Sequence, residues 1–392
     1  MSKKEKAAEN NSCGLAARRG AVGGQAIVEG VMMRGKQHTA IAVRRMDNKK
    51  ISVTRKGNKS VADKCKILKW PLIRGVVNFV ESMVMSFSTI TTGTDMLGLD
   101  EAEEESTSKI DKWLEKHGGK WLISVISVIS LLLGLALAIG LFVFLPTFLG
   151  GLIFDNIPNL NGAAANVWRN IVEGVFKVII FILYIWLTAF IPDMKRVYMY
   201  HGAEHKSIFC YEAGDELTVE NVKKHSRFHP RCGTSFMFSM IILSIAVGII
   251  FLWAVETVWL RSLLKIALLP LTVGIGYEFI RYAGRHDNAL IRALSRPGLW
   301  MQNLTTREPT DDIIEVGITS LKCALPDDFP GFYEECLAAM EEWQNAEKTE
   351  DAVDNAGEEA AEATEGSTEE VTEQSNENTE ENGDAGEEKV DA

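Results

Sequence analysis

Two histidines and a glutamate in the stretch YMYHGAEHKSIFCYE offer the most readily recognised chemistry in this sequence. His201 and His205 stand four residues apart with Glu204 between them. On a helix, positions i and i+4 share a face, so two imidazoles at that spacing can hold one zinc ion at about 2.0 to 2.1 Å. The intervening glutamate is then placed to activate a water at the metal, and the order His-x-x-Glu-His is that of the inverted zincin signature. Two histidines and a glutamate on a basic surface helix need bind nothing, so the motif alone decides little. Further along, KHSRFHPRCGTSF adds His225, His229 and Cys232. Four of the chain's seven histidines and two of its six cysteines thus fall between positions 201 and 232, which favours a bound divalent cation. Imidazole with an optional thiolate points to zinc over magnesium or calcium, while iron or manganese stays open if carboxylates complete the shell. A closed shell of His201, His205, His229 and Cys232 would be a structural site, and an open position beside Glu204 a hydrolytic one. The thiolate leans to the first and Glu204 to the second, so both stay open.

Three more residues are secondary candidates. Glu278, in GIGYEFIRYAGRHDN, is a carboxylate inside or at the edge of an apolar segment, where an ion pair with Arg281 or Arg285 on its own helix competes with a role as metal ligand or proton carrier. His286 and Asp287 follow at the mouth of that segment as fallback ligands. The Gly-x-Gly at Gly274 and Gly276 follows no strand and lacks the rest of a dinucleotide fingerprint, so it reads as helix packing.

The elements that must position these groups are membranous. Trp121 to Leu145 is uncharged, and about 25 residues at 1.5 Å rise suffice to cross a hydrocarbon core of about 30 Å. Ile171 to Ile191 is a second span, interrupted near its start by Glu173 and by Lys177, which can snorkel to the interface, and ended by Pro192. Residues 236–255 form a third. The fourth, 263–283, carries Lys265, Pro270, Glu278 and Arg281, so neighbouring helices must shelter it. Orientation follows from the flanking cations. Lys109, Lys112, Lys116 and Lys120 precede the first span, seven lysines and arginines between Lys195 and Arg231 separate the second from the third, and Arg285, Arg292 and Arg296 follow the fourth. The two opposite connections hold only Arg169 and Arg261, so both termini are expected in the cytoplasm. Every cysteine and histidine then falls on that reducing side, although none was used to assign it. A straight helix continuing from Ile191 would carry His201 roughly 15 Å past the membrane, away from Cys232. A bend at Pro192 would let the histidine helix lie near the surface and bring the two groups together.

The expected fold is therefore a mainly α integral membrane protein of about four transmembrane helices, an interfacial helix, a small N-terminal β-rich unit and an acidic tail. A flexible N-terminus covers 1–22, and MSKKEKAAENNS lacks the apolar core of a signal peptide, so the first span is expected to direct insertion. Residues 23–62 read as the β-rich unit, with GGQAIVEGVMMRG supplying glycine-punctuated turns and a hairpin around Asp47 and Asn48. Within 66–97, Arg74, Asn78 and Glu81 make one polar stripe on an apolar helix expected to lie along the membrane. Were it inserted instead, Arg74 and Glu81 would need partners. The soluble pattern returns over 284–344 and ends in a short helix. From Ala346 onward there are 18 acidic residues against two lysines. That leaves the rest of the chain near +4 out of a net −12. Almost without aromatics, 345–392 is expected to be disordered, a solvated extension or a protein-binding tail.

Together, GGQAIVEGVMMRG, HGAEHKSIFCYE, HPRCGTSF, GYEFIRYAGR and LTTREPTDDIIEVGI resemble the YqhQ-like family of bacterial membrane proteins, described as predicted metal-dependent enzymes. The likeness runs from about Gly23 to Leu325 and leaves the acidic tail outside. It implies that the glycine-rich motif, the His201 and His205 pair, the His229 to Cys232 cluster and the Arg307, Glu308, Asp311 and Glu315 stretch form one functional unit in the bacterial plasma membrane.

Three function classes compete. The first is a metal-dependent hydrolase at the cytoplasmic membrane face, with an unknown substrate, Glu204 as general base and the histidine and cysteine cluster as ligands. The second is a non-enzymatic scaffold or regulator whose zinc only staples the loop. A transporter working through Glu278 is the weakest, for want of intramembrane polar groups or a repeat. No basic aromatic patch argues for nucleic acid, and the implied partners are the lipid bilayer, an unknown substrate at the cytoplasmic membrane face and a protein for the acidic tail.

Overall fold

The computed structural model of the chain describes residues 22–60, 66–98, 120–157, 162–283 and 289–346. His286, Asp287 and the tail from 347 lie outside the described residues.

Four short strands, β1 (Gly23–Ile27), β2 (Gly30–Arg34), β3 (His38–Arg44) and β4 (Ile51–Gly57), form an antiparallel meander in sequential order. The expected hairpin at Asp47 and Asn48 joins β3 to β4, where Asp47 accepts from the backbone of Asn48 and Asn48 from that of Lys50. Alternation gives the sheet two buried faces. Ile27, Met32, Ile41 and Val43 cluster with Leu97, and Met85 packs against them. On the opposite face lie Val31, Met33, Ala40 and Ala42, all fully buried. The first face is covered by helix α1 (Ile73–Asp95), which approaches so closely at Gly93 that a Cβ there would lie 2.4 Å from Ile27.

Helix α1 also reaches the apolar helices further along the chain. Gly75 packs on Gly274, and the stripe finds partners: Arg74 pairs with Glu278, with Nε to Oε1 at 2.6 Å, Asn78 donates to the Arg74 carbonyl, and Glu81 accepts from Ser60. Phe79, Val80, Met83, Val84, Phe87 and Ile90 remain exposed along the same helix.

The long apolar elements follow. Helix α2 (Lys120–Ile139) continues through a π-helical turn at Gly140–Phe144 into α3 (Leu145–Phe154), and α4 covers Ala163–Thr188. Among the described residues, two helical stretches are long and apolar enough to cross a membrane, Val128–Phe154 and Ala164–Thr188. The expectation of four continuous spans is not met. The helix corresponding to the third, α7 (Gly233–Phe251), has a shorter apolar stretch of Phe236–Phe251. The fourth is broken at Leu268 into α8 (Val258–Ala267) and α9 (Leu269–Ala283), bent by 47° and together able to make one further crossing. Pro270 sits just after the break, where it can start a helix but cannot continue one.

Charged residues at this end of the bundle are buried rather than loop-borne. Arg169 lies inside α4 and Arg261 inside α8, and both donate to Glu173, at 3.2 and 3.1 Å. Lys265 completes the ring around that carboxylate. Lys177 does not snorkel: it donates to Ser244 of α7 at 3.1 Å.

Four further helices are described, of which the first and last pack on the sheet and the third on α7. They are α5 (Pro192–Ala213), α6 (Val219–Lys224), α10 (Ala289–Thr305) and α11 (Asp311–Ala324). Two aspartates in the first turn and Lys322 in the last suit the dipole of α11. Its stripe of Ile313, Ile314, Val316 and Leu321 is buried, and Ser320 donates to the Ala40 carbonyl. Residues 334–346, helical in their own right, belong to a separate compact unit.

Candidate metal centre

Helix α4 stops at Thr188, and α5 starts afresh at Pro192 in the first helical position, after an extended Ile191. The missing proline N–H costs nothing there. The histidine helix is thus a separate element, free of the direction of the span, and αL Gly214 caps its far end.

Helix α5 has two working faces. Arg196, Tyr200 and Glu204, spaced by four, meet the first hairpin. Glu29, at the hairpin turn with φ of 51°, accepts from Arg196 (Nη2 at 2.6 Å) and from Tyr200 at 3.2 Å. Glu204 lies against Gly24, where a Cβ would sit 2.8 Å from its carboxyl carbon. Gly24 is therefore a strand residue that makes room for a carboxylate, not the turn residue its glycine-rich context suggests. Burial holds the Glu204 carboxyl up at about 7, opposed by the neighbouring His201.

The adjacent face carries His201 and His205. His201 Nδ1 lies 2.8 Å from the Thr305 carbonyl, and His205 Nδ1 lies 2.5 Å from the Arg227 carbonyl. A carbonyl only accepts, so each Nδ1 carries the hydrogen and each Nε2 keeps its lone pair. His201 Nε2 is 3.2 Å from the Cys232 sulfur. His205 Nε2 is buried without a hydrogen-bond partner among the described residues, and so is His229 Nε2. Ligand atoms of His201, His205 and Cys232 lie within 4.8 Å of one another, while the His229 ring stands 5.4 Å from that of His205. Burial, and then the neighbouring His205, Arg231 and His201, push His229 down to about 3, so it stays neutral across the physiological range.

This donor set fits a divalent metal. Buried nitrogens with no donor facing them are costly, carbonyl-fixed tautomers are the usual second shell of ligating histidines, and imidazole with thiolate suits zinc.

The secondary candidates sit elsewhere. His225 pairs with Asp215 at 2.9 Å, in a group with Cys210, whose buried thiol is pushed up to about 11. Glu278 is held by Arg74, where an ion pair with Arg281 or Arg285 of its own helix was expected; Arg285 lies outside the described residues.

Several contributors carry no chemical signature. Gly202 lets the backbone of Arg307 cross α5, since a Cβ there would meet the Arg307 carbonyl at 2.1 Å, and Arg307 N–H donates to the Tyr198 carbonyl at 2.8 Å. That crossing delivers the Thr305 carbonyl to His201. A glycine inside a helix costs about 1 kcal/mol against alanine, and that unexplained cost was the available signal. The stretch that follows is tied in from all sides: Glu308 to Lys206 at 2.8 Å, Asp311 to Lys223 at 2.5 Å, and Glu315 to Arg44 at 3.0 Å.

A family model described as "Protein of unknown function (DUF1385)" matches residues 70–327. "Uncharacterized protein YqhQ" of Bacillus subtilis (strain 168) is 36% identical over 303 residues, covering 76% of this chain and 91% of that protein. No solved structure matches the chain.

Proposed function

Because the chain belongs to the DUF1385 family, and its histidine and cysteine cluster lies inside the matched region, we propose that it is a membrane-bound, metal-dependent hydrolase. Its four apolar segments cross the bacterial plasma membrane with both termini inside, the bent pair α8–α9 making the last crossing, and the exposed face of α1 rests on the bilayer. The site then sits at the cytoplasmic membrane surface. His201, His205 and Cys232 hold the cation, with His229 completing the set. Zinc, which this donor set favours, supplies Lewis acidity there.

The carrying observation is the convergence of His201, His205 and Cys232, with Nε2 of His205 and of His229 buried and without a partner among the described residues. The Thr305 and Arg227 carbonyls keep both imidazoles in the tautomer that presents Nε2. Glu204, held at about 7, takes and returns a proton near neutral pH, as a general base must. A second reading, a scaffold stapled by structural zinc, draws support from the thiol of Cys232 and from the seat of Glu204 on Gly24.

Elemental analysis of the detergent-purified protein tests both. Wild type should carry stoichiometric metal, H201A and C232S should lose it, and E204Q should keep it. In cells lacking the wild-type protein, metal-replete E204Q should accumulate yet fail to restore function if the site is catalytic. It should restore function if the metal only staples. Metal-free wild type, purified without chelator, would refute both readings.

A further inference from the structure

A cavity of about 590 Å³ opens where α4 ends and α5 begins, a volume typical of small-ligand sites. Its two sides differ in chemistry. Trp186 and Phe190, at the end of the apolar α4, form one wall with Leu304, and the two aromatics are 47% and 66% exposed. Tryptophan at the end of a membrane-crossing helix sits at headgroup level. Lys195, Arg227 and Arg307 line the other side, together with Glu308.

The three cations are not equivalent. Arg227 is engaged by Glu308 at 3.4 Å and by the Thr306 hydroxyl at 3.2 Å, and Glu308 is also held by Lys206. Lys195 and Arg307 have no carboxylate partner among the described residues. Arg307 Nε is buried and lacks any acceptor among them. That nitrogen is closed to the cavity, so an anion there would engage the guanidinium through its other N–H groups, which no carboxylate among the described residues holds. Phosphate is the anion that matches the planar guanidinium fork, with the lysine adding a point charge.

We propose that this cavity binds the phosphate of an anionic glycerophospholipid from the cytoplasmic leaflet. The phosphate sits between Lys195 and Arg307, and the acyl region lies along Trp186, Phe190 and Leu304. A free phosphate would use the same cations but gain nothing from the apolar wall. The assignment rests on the orientation proposed above, which places this end of α4 inside. The bound lipid would also brace the metal centre, because Arg227, whose carbonyl orients His205, and Thr306, next to the carbonyl that orients His201, line the same cavity.

Native mass spectrometry of the detergent-solubilised full chain, titrated with phosphatidylglycerol, phosphatidylcholine or inorganic phosphate, tests this. Wild type should bind phosphatidylglycerol at least about tenfold more tightly than phosphatidylcholine, from charge-assisted hydrogen bonds. K195A and R307A should each abolish most of that preference, and R307K should restore part of it. W186A should weaken phosphatidylglycerol binding and leave inorganic phosphate unaffected. Equal binding of the two lipids by wild type, or an unchanged preference in both K195A and R307A, would overturn the proposal. Inorganic phosphate displacing the lipid at equal concentration would overturn the lipid assignment. Metal content in the same preparations keeps the two readings apart: lipid preference without metal counts against the metal centre alone, and metal without lipid preference counts against this site alone. Reporter fusions placing the α5–α7 connection outside the cell would remove the cytoplasmic leaflet as the source.

Discussion

Alanine at Gly24 would show whether the first strand holds Glu204. A Cβ at that position would lie 2.8 Å from Cγ, Cδ and Oε1 of Glu204. That is well inside the roughly 3.5–4.0 Å of ordinary carbon contacts, so either the carboxylate moves or strand and helix separate. Overpacking of this kind costs about 1–3 kcal/mol. The three atoms nearest that Cβ all belong to Glu204, and the backbone does not oppose the substitution. Gly24 is paired to Met33 in β1 and has no positive φ, and alanine at a compatible glycine position by itself stabilises by about 0.4–1 kcal/mol. Removing the Glu204 side chain should therefore reverse the sign, so that G24A destabilises wild type and slightly stabilises E204A. The two changes should couple by about 1–3 kcal/mol, the overpacking term alone, read as thermal midpoints of four detergent-solubilised proteins at roughly 2–4 °C per kcal/mol. Additivity within about 0.5 kcal/mol would refute the contact and the seat of Glu204 on the sheet.

Two further outcomes follow from the same site. G202A should lower stability by more than about 3 kcal/mol and reduce metal content, despite the gain of about 1 kcal/mol in helix propensity, because a Cβ would drive the Arg307 backbone off α5. Unchanged metal content would show that the Thr305 carbonyl does not orient His201. For the metal-stripped protein, His229 and Glu204 have opposed pH dependences. The folded protein refuses a proton at His229 down to about 3, while the unfolded chain takes one below its ordinary 6.5, so stability falls with acidification in between. Glu204, ordinarily near 4.5, keeps its proton up to about 7 when folded, so stability falls as pH rises across that window. From pH 4.5 to 6.5 these slopes cancel in wild type. E204Q should unmask an acid-side loss on the order of 3 kcal/mol in thermal melts, and matching profiles for the two proteins would exclude the opposition.

Local chemistry explains which parts of this molecule could be anticipated. The hairpin at Asp47 and Asn48 follows from side chains that bond their own backbone, and the apolar runs follow from composition. The four-residue spacing of His201 and His205 fixes a shared helical face whatever surrounds it. Cys232 joined them on clustering alone, and the structure places its sulfur 3.2 Å from His201. What escaped depends on distant neighbours. Glu278 is held by Arg74, 204 residues away, when the obvious candidates lay one helical turn along. Gly24 looked like part of a turn because glycine's commonest local use is a turn. Its role here is to leave space for a side chain 180 positions further on. Lys177 was misjudged because its segment was weighed as if alone in lipid, and the break at Leu268 carries no mark that separates it from a continuous helix. A lysine can turn inward once Ser244 is there to receive it, and a broken helix can stand where its neighbours shelter the break.

With α4 and α8 crossing the membrane as proposed above, the ring of cations around Glu173 would constrain how the protein is made. Arg261 is fully buried and cannot pass into lipid before the carboxylate meant for it is beside it. Helix α4 leaves the ribosome first, carrying Arg169 and Glu173 four residues apart, and that pair can enter the bilayer together. Helix α8 has no such internal companion for its arginine or for Lys265. The insertion machinery must then retain the earlier helix until the later one arrives, so this half of the molecule integrates as a group and not segment by segment.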